Sequence, residues 1–177
     1  MTHPFLGLTG SNSAGKGEAA AFFMSRGYGY RSLSDVIRAR LQAEGLEESR
    51  DNLIRLGNEL RLEGGPDILA RLVMAEIAPP AVIDSIRNPM EIAYLKTRPG
   101  FFLLAVEAPI ALRFERAEKR GRTASAATLA AFAGKESEER STRPEAQQLD
   151  ACLALADAVV VNDGTIEDLH RKLEAFL

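Results

Sequence analysis

The chain has 177 residues, 46% hydrophobic and 27% charged, with a net charge of −3. These values describe one ordinary globular domain over 1–177 and give no pull toward nucleic acid or an anionic membrane. A single cysteine, Cys152, excludes an internal disulfide framework, fits a reducing, cytoplasmic compartment, and with His3 and His170 makes no zinc-type set. No apolar run approaches a membrane span, and the first residues lack the cationic segment of a secretory leader. The oligomeric state is left open.

The first predicted strand is Phe5–Thr9. It runs straight into Gly10-Ser11-Asn12-Ser13-Ala14-Gly15-Lys16, followed by the helical stretch Ala19-Ala20-Ala21-Phe22-Phe23-Met24. Strand, glycine-rich loop and helix together form the context of a phosphate-binding loop. The glycines let successive N–H groups point at one centre, and the helix N-terminus adds its positive dipole end. Lys16 then reaches the β- and γ-phosphates of a nucleoside triphosphate. Gly17 follows Lys16, where many such loops carry Ser or Thr. Glu18 falls in the first helical turn, close to the expected α- and β-phosphates. Its charge opposes theirs unless it points away or meets a cation.

Further strands are predicted at Tyr30–Leu33, Ala81–Asp84, Phe101–Glu107 and Ala158–Asn162. Val82-Ile83, the run Phe102 to Val106, and Val159-Val160-Val161 are continuously apolar, as in a parallel sheet covered on both faces. Helical patterns separate them. Leu53, Leu56 and Leu60 form one stripe; Gly64-Gly65-Pro66 stops that helix; Ile68, Leu69, Leu72, Val73 and Ile77 resume on one face. Pro109 opens a helix containing Leu112. Thr165 and Asp168 form a capping box ahead of the stripe Ile166, Leu169 and Leu173. The expected fold is three-layer α/β, a five-stranded parallel sheet flanked by helices, with ligands bound beyond the strand C-terminal ends.

Two segments exceed a minimal α/β unit. Residues 34–76 place about three helices between the second and third strands, and 119–150 is a polar insertion before the last strand. Both should emerge near the phosphate loop. Ser34 is a candidate N-cap, with Asp35 in the first turn and Arg38 a turn later. Asp84 ends a buried strand, with Arg87 three residues on. Arg113, Arg116, Lys119, Arg120 and Arg122 cluster at the entry to the polar insertion, with Arg140 and Arg143 on its far side. Phosphoryl transfer between two anions needs cations around both.

These motifs resemble P-loop nucleotide kinases over nearly the whole chain. Gly-Lys-Gly resembles the adenylate kinase loop, with Glu18 where that family has threonine. Ser34-Asp35-Val36-Ile37-Arg38 and Asp84-Ser85-Ile86-Arg87 resemble its acceptor-phosphate segments, although the proline of the second is absent. Asn162-Asp163-Gly164 resembles the base-adjacent loop of dephospho-CoA kinases. The stretches from Arg50 to Arg61 and Gly65-Pro66-Asp67 are similar to a kinase-like group near both families. The resemblance implies that 34–76 is an acceptor-binding insertion and 119–150 an arginine-bearing lid. It implies ATP and Mg²⁺ as ligands, the metal held by Asp84 through water. Nucleotide would be bound by residues 10–18, Asn162 and Gly164, and acceptor by Asp35, Arg38 and Arg87. Lys16, Asp84, Arg87, Arg116 and Arg120 would serve transfer. The expected acceptor is a nucleoside monophosphate. The alternatives are transfer to a ribose hydroxyl with Asp35 as general base, or a non-catalytic ATP sensor, suggested by Glu18. The expected partners are small-molecule nucleotides alone.

Overall fold

The computed structural model describes residues 3–121, 128–138, 140 and 142–177, with no side-chain account of Glu138. Five strands form one parallel sheet: β1 (Phe5–Thr9), β2 (Gly29–Ser32), β3 (Ala81–Asp84), β4 (Phe101–Glu107) and β5 (Ala158–Val161). Their spatial order is β2-β3-β1-β4-β5. The strand that feeds the phosphate loop is therefore central, with Leu6 paired to Val82 on one side and to Phe102 on the other. The apolar runs of β1, β3 and β4 sit there because a central parallel strand is buried on both faces.

The helices are α1 (Lys16–Ser25), α2 (Leu33–Ala43), α3 (Arg50–Gly64), α4 (Ile68–Met74), α5 (Pro89–Leu95), α6 (Ile110–Lys119), α7 (Leu129–Glu138), α8 (Leu149–Ala154) and α9 (Ile166–Leu173), followed by one 3₁₀ turn at Glu174–Phe176. Alternation along the strands divides them between two cores. Leu6, Leu8, Leu104, Val106 and Val160 meet Phe23, Leu169 and Leu173 of α1 and α9. Ile83 and Leu103 meet Leu33, Ile37, Leu56, Leu69, Ile92 and Cys152 on the opposite face. Gly7 faces Phe101 and Ile86 of this second core, where a Cβ would stand 2.6 Å from the Phe101 ring.

Several predicted boundaries and faces differ. The second strand ends at Ser32, and Leu33 opens α2. Ser32, rather than Ser34, caps that helix. Its hydroxyl accepts from Ser34 N at 3.2 Å, and Asp35 accepts from Ser32 N at 3.1 Å, closing a capping box. Gly65, at φ 97°, ends α3, but the next helix stops at Met74. Ile77 thus lies outside it, and Leu72 faces solvent. The last strand ends at Val161. It is an edge strand with Val159 and Val161 exposed, so only its Val160 face is covered. The predicted box at Thr165 forms, although Ile166 remains exposed and the buried stripe is Leu169 and Leu173. Among the described residues no helix is long and apolar enough to cross a membrane.

The polar segment after β4 is tied down by a buried ion pair. Arg113 of α6 donates to both Glu136 carboxylate oxygens of α7, at 2.6 and 3.1 Å, and through Nε to Ala108 O at 2.8 Å. Its ring neighbour Phe132 packs on Phe114. Arg113 therefore joins the two helices to each other, and through Nη1 to Asn12 O of the phosphate loop at 3.4 Å. Arg113→Ala strands Glu136 in a site where it is 5% exposed. It should cost about 3–5 kcal/mol, while Arg113→Met with Glu136→Leu recovers most of the loss. Urea unfolding of the two variants measures both.

Candidate functional site: the phosphate loop and its cavity

The loop from Gly10 to Gly15 leaves β1 at its C-terminal end and enters α1 at Lys16. Gly10 has φ 134°, and a Cβ on it would meet Val106 O at 2.0 Å; only glycine fits. Gly15 has φ 114°, and a Cβ there would meet Asn162 Nδ2 at 2.3 Å. Ser13 is held at φ 60°. Long-range contacts fix this shape, among them one from Arg113 Nη1, which donates to Asn12 O at 3.4 Å. Glu107, ending β4, accepts from Ser11 N at 2.5 Å and from Ser11 Oγ at 2.9 Å. Asn162, just after β5, donates to Ala14 O at 2.8 Å. Arg116 of α6 donates to Asn162 O at 3.2 Å and reaches Ala14 O at 3.5 Å. Among the described residues nothing accepts the backbone N–H of Ser13, Gly15 or Gly17. Those donors border the cavity, as an anion cradle requires. Lys16 Nζ rests on the carbonyls of Gly10 and Ser11, at 2.7 and 2.9 Å.

Glu18 faces elsewhere. Its carboxylate meets His170 Nε2 of α9 at 2.7 Å, and it does not line the cavity. The expected repulsion of phosphate is thus relieved by orientation: Glu18 joins α1 to α9, where His170 also packs against Phe22.

The loop opens into a cavity of about 620 Å³. Its far walls come from α2, α3 and the turn after β3. Asp84 lines it with only 7% exposure, accepting from Tyr30 Oη at 3.2 Å and from Ser85 N at 2.5 Å. Burial first, and then the Asp84 charge, push the Tyr30 hydroxyl up to about 12, so it stays a proton donor. Ser85, at φ 64°, receives the Ser32 hydroxyl at 3.0 Å and turns the chain toward Arg87.

Arg38, Arg87 and Arg120 also line the cavity. Arg38 is held between Asp35 and Glu48, each at 2.9 Å. Asp35 is occupied by its cap and by Arg38 and lies outside this cavity, along a second groove with Val36 and Leu72. Asn162 and Arg116 brace the loop from behind, and Gly164 fits against Asp168, whose Oδ2 would meet a Cβ at 2.7 Å. Arg140 pairs with Asp150, and Arg143 with Glu145 at 3.7 Å. Arg122 lies outside the described residues.

Sequence reasoning missed a buried hub beside this site. Glu91 Oε1 accepts from Arg61 Nε and Nη2 at 3.0 and 2.7 Å. Its Oε2 accepts from Arg87 N and Asn88 N at 2.9 and 3.0 Å. Asn88 Nδ2 donates to Pro144 O and Ala146 O, and Gln148 N to Arg87 O at 2.8 Å. This network joins α3, the Asp84–Arg87 turn and the segment before α8. The one local sign was the Asn88-to-Glu91 spacing of a capping box, with Pro89 at the first helical position.

Among solved structures, TT1252 from Thermus thermophilus aligns at 26% identity and TM-score 0.61, over 98% of this chain and 96% of that one. Shikimate kinase from Bacteroides thetaiotaomicron aligns at 17% and 0.62 over 98% and 97%. A gluconokinase from Sinorhizobium meliloti aligns at 14% and 0.54 over 98% and 91%. The last two identities establish a shared fold, that of P-loop small-molecule kinases. The likeness is thus broader than the adenylate and dephospho-CoA kinases alone. No family profile matches the chain. A UPF0200 protein of Thermococcus gammatolerans is 30% identical over 179 residues, covering 96% of this chain and 92% of the relative. One of Sulfurisphaera tokodaii is 30% identical over 174 residues, covering 97% and 94%. With such identity sustained from end to end, and with the phosphate loop and its braces inside the matched span, the chain belongs to the UPF0200 family.

Proposed function

We propose that this protein is a phosphotransferase that moves the γ-phosphoryl group of ATP–Mg²⁺ to a small phosphorylated acceptor, a nucleoside monophosphate being the first choice. One observation carries the reading: the phosphate loop and Lys16 share a single cavity with Asp84, Arg38, Arg87 and Arg120. Donor and acceptor sites for two anions thus adjoin, and the transferred group passes between them without a covalent enzyme intermediate. The shared fold with shikimate kinases and a gluconokinase, proteins named as kinases of small molecules, supports the chemical class.

In this reading the open N–H groups of Ser13, Gly15 and Gly17 hold the phosphates. Lys16 leaves its carbonyl partners to meet the transferred group, and Arg120 covers it. Arg116, Asn162 and Gly164 set the nucleotide side by holding the loop. Arg38 and Arg87 hold the acceptor anion. Asp84 fits the metal: a nearly buried carboxylate lining the cavity, whose hydrogen-bond neighbours are a hydroxyl and a backbone amide. It would hold Mg²⁺ through water, and the ion would supply charge neutralisation on the phosphates. Among the described residues no three His, Cys, Asp or Glu side chains cluster as a ligand set. The metal would therefore arrive with the nucleotide. Transfer to a ribose hydroxyl with Asp35 as base has less support, because Asp35 faces away. The sensor reading loses its motive with Glu18 turned to His170.

Incubating the protein with labelled ATP and a panel of nucleoside monophosphates and dephospho-CoA tests the reading. Label should pass to at least one acceptor; ATP consumption with none of them would overturn the acceptor assignment. Lys16→Ala should abolish transfer and leave the thermal midpoint unchanged, since the ammonium serves ligand charge rather than the core. Wild-type turnover in that variant sinks the mechanism. Asp84→Asn should lower turnover at least about tenfold and shift the Mg²⁺ titration to higher concentration. Glu18→Thr should leave ATP affinity within about twofold and cost at most about 1 kcal/mol of stability, the worth of a part-exposed pair. Calorimetric titration and urea unfolding measure the two quantities.

A further inference from the structure

Two residues that line the cavity each bury a polar side-chain atom that, among the described residues, has no hydrogen-bond partner. Arg61 is 3% exposed and lines the cavity wall. Its Nε and Nη2 are taken by Glu91, but among the described residues Nη1 has no hydrogen-bond partner. Gln147 is 7% exposed and lines the same cavity, and among the described residues its Oε1 has none either. The two belong to one network. Glu91 binds Arg87 N and Asn88 N, and Asn88 binds the carbonyl of Ala146, next to Gln147. A buried polar atom left unpaired is costly, and few persist without a reason. Arg61 and Gln147 line the same cavity, one with a buried donor and one with a buried acceptor left unpaired among the described residues.

A ligand group that answered both atoms would be electrically neutral. Glu91 already compensates the Arg61 guanidinium at 2.7 Å, so a second anion there would add uncompensated negative charge to a dry wall. The complement to Nη1 is a lone pair, and the complement to Oε1 is an N–H or O–H. We infer that Arg61 and Gln147 read the uncharged end of the acceptor, a neutral group offering both a hydrogen-bond acceptor and a donor, as the edge of a nucleobase or a sugar hydroxyl does. The inference rests on the phosphotransfer reading and deepens it. Arg38 and Arg87 would take the acceptor's anion, while Arg61 and Gln147 would choose among acceptors by the neutral end. Selectivity by such a pair is strong, because a ligand lacking the matching group leaves both atoms unpaired.

The design has a signature that a structural glutamine would not produce. Gln147→Met keeps the length of the side chain and removes the unanswered oxygen. Without ligand, its thermal midpoint should equal or exceed that of the wild type. With ligand, affinity should fall. The experiment titrates full-length wild type and Gln147→Met with AMP, GMP, CMP, UMP, ribose 5-phosphate and ATP, by calorimetry, and records the ligand-free melting of both. At least one nucleoside monophosphate should bind the variant about tenfold more weakly, with ATP binding unchanged. An equal loss for ribose 5-phosphate assigns the contact to the sugar; a loss confined to the nucleotide assigns it to the base. A lower melting point of the variant overturns the inference. So do equal affinities in the two proteins, or no binding of any monophosphate or of ribose 5-phosphate. If binding depends on Gln147 yet the wild type transfers no label from ATP, the transfer reading fails and the recognition stands. If transfer occurs with the same acceptor KM in both proteins, the recognition alone fails.

Discussion

The shape of one six-residue turn governs most of this molecule. Between Gly10 and Gly15 the chain must curl tightly enough to aim several N–H groups at one point, and no helix or strand ladder satisfies them. A turn with so few internal bonds holds only if its neighbours clamp it. The clamps come from the two strands beyond the central one. Glu107 at the end of β4 grips Ser11, and Asn162 after β5 grips Ala14. Arg116 then locks Asn162 from α6. Both glycines are sterically required at the points of closest approach. The strand order is what makes this possible, since it puts the loop at the centre of the sheet edge with β3 on one side and β4 and β5 on the other.

The same order explains why the two long excursions converge. Connections in a parallel sheet leave from strand C-terminal ends, so the groups that line the cavity gather there. The helices α2 to α4 leave from β2 and return to β3; α6 to α8 leave from β4 and return to β5. They meet across the Asp84–Arg87 turn, where Glu91 fastens α3 on one side and Asn88 the 144–146 carbonyls on the other. Arg113 and Glu136 give the second excursion its own buried anchor, and Lys135 crosses to Asp51 of α3 at 2.7 Å.

The legible parts of this fold were those written in local pattern. The apolar runs, the glycine spacing before Lys16 and the box at Thr165 each depend on neighbours within a few residues, and they located all five strands and the phosphate loop. What escaped was set by partners far along the chain. Glu107 looked like the last residue of a strand, and only a contact 96 residues away makes it a clamp. Glu18 looked like a liability because its partner His170 is 152 residues distant. Arg61 ends the stretch from Arg50 that resembles a kinase-like group, but the likeness gives it no role, and Gln147 carries no motif. Their meaning comes from burial and from what they fail to bond. The strand pattern runs one residue too far, into Leu33, and so hides Ser32 as a cap; and an apolar run such as Val159 to Val161 does not tell an edge strand from a central one.

Charge placement around the cavity follows a single rule. Where an acidic group borders the phosphate loop, it is turned to protein donors: Glu107 to Ser11, Glu18 to His170. Where a basic group is fully buried, it is matched one to one, as Arg61 with Glu91 and Arg113 with Glu136. The arginines on the cavity wall that remain partly exposed have a different cost. An exposed pair is worth little, so Arg38 between Asp35 and Glu48 can exchange those partners for a ligand anion at small expense. A buried pair cannot be exchanged so cheaply. The fold thus separates buried cations that hold it together from a part-exposed cation such as Arg38, whose ion pairs cost little to rearrange.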